Sequence, residues 1–279
     1  MCEFCVKHGE GKKWYLNAKN YSDDLLNDIR RRKITISHFY WVDRTYKQYF
    51  NFFKNLPLHI PLIQATVKAV LKSTFQYVHW GQVVPIEDVK RILAITNSIT
   101  RVPCVCRMST KKKEERVCFL ISMNPGKMGI ADIIDQSYFG GPDIAKFEGV
   151  TREWAVSFFK ESEKKGMIHT VWALKAPFVG TLCNCDYSTG CIPMLMLTEI
   201  VPVMFKSEYI ACIDKNLCVG CQECSKVCQF KAVLFDKKDK KSMVDKTRCY
   251  GCGICRRACK NTAIILTDRY RIPEALKTW

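Results

Sequence analysis

The chain has 279 residues, a formal net charge of +17 and 48% hydrophobic residues, which excludes an intrinsically disordered protein and is long enough for two domains. Its 17 cysteines come without an apolar signal segment near residue 1, so the composition favours metal binding in a reducing compartment over disulfides. No uncharged apolar run of about 18 residues occurs, so no transmembrane segment is predicted and we expect a cytoplasmic protein.

Residues 1–16 form a cysteine-bearing leader. Cys2, Cys5 and His8 have the C-x2-C-x2-H spacing that a zinc ion can use. The leader offers no fourth ligand, which would have to come from elsewhere or be water, and chain termini fray. A metal site and a frayed terminus therefore both stay open.

Helices are predicted over most of the first hundred residues. Ser22 should cap a helix over 21–33, because acidic residues follow it and arginines end the segment. Aromatic residues at helical spacing over 43–55 indicate a core-facing stripe, and Leu56–Val78 and 86–97 predict two further helices. The stripe consists of Tyr46, Tyr49, Phe50 and Phe53. The expected inward residues are Ile63, Val67, Val70 and Leu71 in a core helix that begins near Pro61, and Val89, Ile92 and Leu93 in the next one.

A hairpin is predicted next. Strand-like segments at 101–107 and 116–122 flank the charged loop Ser109–Glu115. The glycine- and proline-rich stretch 123–150 contains NPGKMG, which lacks the G-x4-G-K-[ST] spacing of a phosphate loop. A nucleotide site is therefore not predicted.

One more helix and strand complete the N-terminal part. Thr151 should cap a helix that runs to Lys165 and ends at Gly166, and the apolar segment 167–174 predicts a strand. This part of the chain therefore combines helices and strands in an α+β arrangement.

Six cysteines accompany these elements and form a candidate metal site. A buried free cysteine is a common small hydrophobic residue, but two separated C-x-C pairs are harder to explain by packing. The pattern predicts a third iron–sulfur cluster or a zinc ion, and six thiolates would also allow an unusual cluster. The favoured ligands are Cys106, Cys183, Cys185 and Cys191, with Cys104 and Cys118 as substitutes. Arg107 would offset cluster charge or make a surface salt bridge.

A duplicated cysteine motif lies near the C-terminus. The run C-x2-C-x2-C-x3-C occurs twice, at the residues Cys218, Cys221, Cys224 and Cys228 and then Cys249, Cys252, Cys255 and Cys259. The repeat includes Asp214 with Asp245, Ala232 with Ala263, and Gly220 with Gly251. Self-similarity of this kind indicates two equivalent units, each expected to hold a hairpin and a helical turn, with glycines that let backbone N–H groups approach sulfur. Cys212 has no counterpart and is expected to be a packing residue.

This stretch, 207–270, resembles bacterial-type two-[4Fe–4S] ferredoxins, whose fourth cysteine ligates the other cluster. The resemblance implies one cluster on Cys218, Cys221, Cys224 and Cys259, and another on Cys249, Cys252, Cys255 and Cys228. Zinc ribbons and disulfides are the alternatives, but zinc sites rarely repeat these gaps. Gln229 and Lys260 stand where the family usually has proline.

The block V-P-C-V-C-R, G-M-I-H, C-N-C and a further cysteine resembles a group of uncharacterised ferredoxin-like iron–sulfur proteins of anaerobes, over about 80–270. No reaction follows from that resemblance. We expect an N-terminal leader and helical segment (1–80), an α+β cysteine-containing domain (81–206), a two-[4Fe–4S] ferredoxin-like domain (207–270) and a tail (271–279). The expected fold class is α+β.

Three functions remain open. The first is an electron carrier that passes low-potential electrons through two clusters to an N-terminal site or to an acidic redox partner, such as a flavoprotein or another oxidoreductase. Two clusters leave a net charge of about +13, which favours an acidic partner, and no nucleic-acid module is recognisable. The second is a reductase with an N-terminal metal site, His169 as proton donor and Arg107 stabilising an anion. The third is a redox or metal sensor with a winged-helix-like shape that uses helices 86–97 and 151–165.

Overall fold

The computed structural model describes residues 13–57, 60–135, 147–175, 177–199 and 203–276. The helices are α1 (Ile29–Asn55), α2 (Pro61–Val78), α3 (Ile86–Ile95), α4 (Val105–Lys111), α5 (Arg152–Lys164), α6 (Ile192–Glu199), α7 (Glu223–Lys226), α8 (Ile254–Ala258) and α9 (Pro273–Leu276). The strands are β1 (His79–Val83), β2 (Ser98–Val102), β3 (Cys118–Ser122), β4 (Glu148–Gly149), β5 (Ile168–Leu174), β6 (Val179–Cys185), β7 (Met204–Phe205), β8 (Tyr209–Ile213), β9 (Val233–Asp236), β10 (Lys241–Val244) and β11 (Ile264–Asp268). The predicted leader site of Cys2, Cys5 and His8 lies outside the described residues.

The first predicted helix is divided differently in the structure. Ser22 does accept a hydrogen bond from the Asp24 N–H, but it begins a short 3-10 helix, Asp23–Asn27. Asp28 then accepts from the Arg31 N–H at 2.9 Å and starts α1, which continues to Asn55. The boundaries 21–33 were therefore wrong, because a second capping residue lies within them. The predicted aromatic stripe over 43–55 falls on side chains that are not described.

The helix α2 begins at Pro61 as expected but is not a core helix. Ile63, Val67 and Leu71 are only half-buried and Val70 is 58% exposed. The helical periodicity was correct, whereas the inference that its apolar side faces a core was wrong for the described side chains. No helix in the described part of the chain combines the length and apolarity needed to cross a membrane.

The hairpin is present as the antiparallel pair of β2 and β3, but its first strand is shorter than expected. The Cys104 N–H donates to Glu115 O at 2.8 Å and the Met108 N–H donates to Cys104 O at 3.1 Å, so the chain turns into α4 at this residue. The expectation of a strand through 107 and of a loop from Ser109 was wrong, because Pro103 ends the strand ladder and Cys104 caps α4.

The later helices and strand agree with their predictions. Val89, Ile92 and Leu93 of α3 are fully buried. The Thr151 hydroxyl accepts from the Trp154 N–H at 3.2 Å at the start of α5, and Gly166 ends it with φ of +81°. A left-handed residue at this position is a common helix ending that favours glycine.

The central element is a seven-stranded sheet with the order β4-β2-β3-β6-β5-β1-β7, antiparallel except for β1 and β7. One face packs on α3 and α5 through residues such as Phe119, Phe159 and Val171. The other face packs on α4, α6 and part of α1 through Ile168, Trp172 and Leu120. Side chains alternate between the faces along each strand, so neighbouring residues reach different surroundings.

Residues 207–270, here the C-terminal module, contain two small antiparallel sheets. Strand β8 pairs with β11, and β9 pairs with β10. The expectation of one hairpin in each half was wrong, because the first strand of the module pairs with its last. The helical turns expected in each half are α7 and α8.

Candidate metal centres

The two halves of the C-terminal module repeat the same backbone contacts. The Asp214 N–H donates to Ala263 O at 2.8 Å, and the Asp245 N–H donates to Ala232 O at 2.8 Å. Each aspartate carbonyl then accepts from the first cysteine of its own run, at 3.0 Å in both halves. The sequence repeat is therefore also a structural repeat, and each half anchors the cysteine loop of the other.

Eight module cysteines line two small cavities. The first C-terminal cavity, about 20 Å³, is lined by Cys218, Cys221, Cys224 and Cys259. The second C-terminal cavity, also about 20 Å³, is lined by Cys228, Cys249, Cys252 and Cys255. Each cavity thus receives three cysteines from one run and the last cysteine of the other run.

Gly220 and Gly251 hold the cysteine loops for a reason that the sequence did not reveal. Both have positive φ angles, +72° and +67°. A Cβ atom on Gly220 would lie 2.2 Å from Lys240 O, and one on Gly251 would lie 2.0 Å from Tyr209 O. The close neighbour of each glycine is therefore a backbone carbonyl of an adjacent segment, which a side chain would displace.

The two C-terminal cavities differ in exposure. Cys221 is exposed and its neighbour Val219 is 67% exposed, so the first cavity lies at the surface. Burial raises the pKa of Cys255 to about 12 and that of Cys252 well above its usual value. These thiols stay protonated at neutral pH unless a metal displaces the protons.

Two cations flank the second C-terminal cavity. Arg269 is fully buried and donates to the backbone oxygens of Ser207 at 2.7 Å and Cys249 at 2.8 Å. Lys206 donates to Thr247 O, and burial lowers the pKa of this lysine to about 8. The sequence analysis missed Arg269, which follows the cysteine repeat and belongs to no motif. Its guanidinium stabilises negative charge at this cavity.

The N-terminal cavity, about 100 Å³, is lined by six cysteines, the same six that the sequence singled out. They come from the strands β3 and β6, from α4 and its cap, and from the residue before α6. The lining cysteines are Cys104, Cys106, Cys118, Cys183, Cys185 and Cys191. His38 and Phe39 of α1 also line this cavity, and no sequence pattern had indicated them.

Hydrogen bonds join the six thiols into one chain of contacts. Cys118 contacts Cys104 and Cys183, Cys106 contacts Cys104 and Cys191, and Cys191 contacts Cys185. The bonds from Cys106 and Cys118 lower the pKa of the Cys104 thiol well below its usual value. The Thr170 hydroxyl lies 3.3 Å from the Cys185 sulfur. Each of the six thiols is therefore in contact with at least one other thiol of the set.

Arg107 is buried beside these cysteines. It does form a salt bridge, but the prediction that this salt bridge lies at the surface was wrong. Only 1% of the side chain is exposed; it pairs with Glu115, and its second nitrogen donates to Asn184 O at 3.3 Å. The guanidinium therefore places a fixed positive charge near the N-terminal cavity.

His169 lies on the opposite face of the sheet from the N-terminal cavity. Its ring contacts Phe159, and its Nδ1 atom is 2.8 Å from Asn184 Oδ1. Burial lowers its pKa to about 4, so the ring is neutral near pH 7. The expectation that His169 donates protons at this cavity is wrong, because β5 turns it toward α5.

An iron–sulfur cluster and a single metal ion need different arrangements of their protein ligands. Among the described residues, no group of three or more histidine, cysteine, aspartate or glutamate side chains is arranged to hold a metal ion. The fifteen described cysteines are free thiols, and all but Cys212 line one of the three cavities. Thiols spread around a cavity suit a multi-atom cluster, whose ligands bind different irons.

Apolar side chains connect the three cavities. Phe230 packs against two groups of buried hydrophobic side chains, here the two hydrophobic clusters. Its ring stacks on Tyr250 with centroids 4.1 Å apart. One of these clusters contains Cys191 of the N-terminal cavity and Ile254 of the second C-terminal cavity. The other contains Cys224 and Cys249, one from each C-terminal cavity.

Gln229 bonds the C-terminal module to two earlier segments of the chain. Its amide donates to Gly166 O at 2.6 Å and accepts from the Tyr187 N–H at 3.0 Å. A proline at this position, which the resemblance to ferredoxins implies, could make neither bond. Glutamine therefore has a structural role here.

A basic cleft of about 630 Å³ lies at the same junction, beside Cys228. Its charged lining residues are Lys164, Lys165, Lys226, Lys231 and Asp186. Lys164 and Lys226 pair with glutamates of their own helices, and Asp186 accepts hydrogen bonds from Ser188. Four lysines and one aspartate give the lining itself a positive balance, which the two helix glutamates reduce.

Comparison with known proteins gives a short match. The chain is 31% identical over 75 residues to one component of the ion-translocating oxidoreductase complex, its B protein, from three strains of Haemophilus influenzae. The match covers 22% of this chain and 39% of that protein. The chain thus matches well under two thirds of the length of these relatives. No protein-family profile matches the chain.

Proposed function

We propose that the protein is an iron–sulfur electron carrier with two [4Fe–4S] clusters in its C-terminal module. The cysteines of the two C-terminal cavities would be the ligands, three from one run and the last from the other. This crossed lining carries the proposal, because it is the ligation that the repeated spacing requires in two-cluster ferredoxins. The similarity to a component of an oxidoreductase complex supports electron transfer as the role.

The electron path would run from the surface inward. Exposed Cys221 gives the first cavity an edge at the surface, and Phe230 connects the apolar surroundings of the second cavity to those of the N-terminal cavity. Low-potential electrons would therefore pass through both clusters to a docked partner or to the N-terminal cavity. Clusters bound only by thiolates suit low potentials, although the range is wide.

An acidic redox protein, such as a flavoprotein or another oxidoreductase, would dock at the basic cleft. Complementary charge supports this occupant, because four lysines and one aspartate line the cleft beside Cys228. The oxidoreductase complex of the relative supports a protein partner, whereas nothing in the sequence supports nucleic acid.

Salt and charge reversal test the docking. The probe is the rate at which dithionite-reduced protein transfers electrons to an acidic flavodoxin. We expect the rate to fall as salt rises, and to fall about tenfold in Lys165→Glu and Lys231→Glu at low salt. Lys127→Glu is the control, because this exposed lysine does not line the cleft. Equal effects of the three variants, or rates independent of salt, would contradict docking at the cleft.

Iron and sulfide analysis tests the clusters themselves. Anaerobically purified Cys224→Ser and Cys255→Ser should each lose about four irons and one EPR species of the dithionite-reduced protein. Cys212→Ser should keep both, because Cys212 lies on β8 and lines none of the three cavities. Unchanged iron in Cys224→Ser would sink the ligand assignment.

A reductase with its reaction at the N-terminal cavity is the second candidate. The observation in its favour is that this cavity is larger than either C-terminal cavity and is lined by His38 in addition to cysteines. Cyanide is a suitable probe, because it binds iron that has an open coordination position. A cyanide-dependent shift in an EPR species that depends on Cys191 would favour the reductase, and no shift would favour the carrier.

A further inference from the structure

The N-terminal cavity offers more thiols than a cubane can use. A [4Fe–4S] cubane takes four terminal thiolates, one for each iron. Six cysteines line this cavity, and each of them forms a hydrogen bond with at least one other cysteine of the set. A cubane would therefore leave two thiols of the same chain of contacts without a role.

The size of the cavity points in the same direction. The two C-terminal cavities, each lined by four cysteines with cubane spacing, measure about 20 Å³. The N-terminal cavity measures about 100 Å³. The C-terminal cavities serve as internal references for a four-cysteine site in the same chain. By that comparison, the N-terminal cavity has room for a larger group.

The chemistry of the lining suits a cluster bound by thiolates. No carboxylate is among the described side chains that line the cavity, and His38 is the one other metal-ligating side chain there. The buried Arg107 guanidinium lies close enough to interact electrostatically with Cys104, Cys118 and Cys191. A fixed cation next to several thiolates reduces the cost of holding their negative charge in a buried site.

We propose that the six cysteines of the N-terminal cavity together ligate one iron–sulfur centre larger than a cubane. The inference rests on the proposed function only in that electrons reach this centre through the two C-terminal clusters. Ligation at Cys118 on β3 and at Cys191 just before α6 would tie two separate segments of the chain to one centre. Loss of either ligand should therefore remove the same centre.

The test is the iron lost when a ligand is removed from the full-length, anaerobically purified chain. Cys118→Ser and Cys191→Ser are compared with the control Cys212→Ser for iron, acid-labile sulfide, zinc and Mössbauer spectra. We expect each of the first two variants to lose more than about four irons per chain and the same Mössbauer component. The irons of the C-terminal clusters should remain.

Every other result overturns the inference. A loss of about four irons would mean a cubane with spare cysteines, a loss of zinc alone would mean a zinc site, and no metal loss would mean packing cysteines. If a variant misfolds, the iron content of the N-terminal centre is obtained from the wild-type protein instead. The irons lost in Cys224→Ser and in Cys255→Ser are subtracted from the wild-type total, and the remainder belongs to this centre. Those two variants report on the C-terminal clusters alone, so the proposed function fails or stands separately.

Discussion

The C-terminal module and the N-terminal cavity bring cysteines together in different ways. In the module, each set of four includes three cysteines from a single tight loop, and symmetric backbone bonds through Asp214 and Asp245 hold the loops. In the N-terminal cavity, the six cysteines come from two strands, the start of α4 and the residue before α6. A local loop can be recognised from spacing, whereas a site built on a sheet face depends on strand pairing. The two regions should therefore respond differently to backbone and to packing changes.

The largest expected effect breaks the loop geometry of the module. In Gly251→Ala, the new Cβ would lie 2.0 Å from Tyr209 O, and φ is +67°. We expect a loss of about 2–5 kcal/mol in the free energy of unfolding, together with loss of the cluster proposed for the second C-terminal cavity. Urea unfolding and iron analysis measure both.

Gly149→Ala is the matched control, because a Cβ there meets nothing within 4 Å. Gly220→Ala should behave like Gly251→Ala, since its Cβ would lie 2.2 Å from Lys240 O. A stable Gly251→Ala protein with full iron content would show that the loop is not held by this contact.

The next effect concerns low pH and His169, which lies on the face of the seven-stranded sheet opposite to the N-terminal cavity. Burial lowers the pKa of His169 to about 4, so the unfolded chain takes up a proton below about pH 6.5 that the folded chain does not. Stability is therefore complete above pH 6.5 and falls as the pH drops toward 4, by about 3 kcal/mol in all. In His169→Gln the decline over this range should be shallower. Parallel pH profiles of unfolding for the two proteins would refute a neutral buried His169.

A smaller effect probes the wall of the N-terminal cavity. Arg107→Lys loses the forked contact of the guanidinium with Glu115 and Asn184 O, and should reduce stability by about 1.5–3 kcal/mol. The EPR signals of the two clusters proposed for the C-terminal module should remain. Arg271→Lys, at an exposed arginine that pairs with the half-buried Asp268, should change stability by less than about 0.5 kcal/mol. Equal urea midpoints for the two variants would argue against the buried contact.

The smallest effect concerns the junction between the two regions. Gln229→Ala removes bonds to Gly166 O and the Tyr187 N–H, and should cost about 1–2 kcal/mol with iron content unchanged. Hydrogen exchange at the junction should rise. Lys260→Ala, at the equivalent position of the other half, should leave exchange there unchanged. Equal increases in hydrogen exchange at the junction in both variants would contradict a specific role of Gln229 there.

The elements that local chemistry encodes could be predicted from the amino-acid sequence. The caps of Thr151 and Gly166 set the ends of α5, and the buried stripe of Val89, Ile92 and Leu93 identified α3. The duplicated cysteine runs identified the module and the three cysteines of each tight loop. These features depend on residues within a few positions of one another, so periodicity and spacing are sufficient.

Which distant groups share a site was visible only after the chain had folded. The fold placed His169 away from the cysteines because neighbouring residues on a strand face opposite sides of the sheet. It formed a helix over 105–111 where the sequence suggested a strand to 107 and a loop from Ser109. It left the described side chains of α2 at most half-buried and brought Arg269 to the second C-terminal cavity. Burial and long-range pairing depend on the whole chain, and no local pattern in the sequence records them.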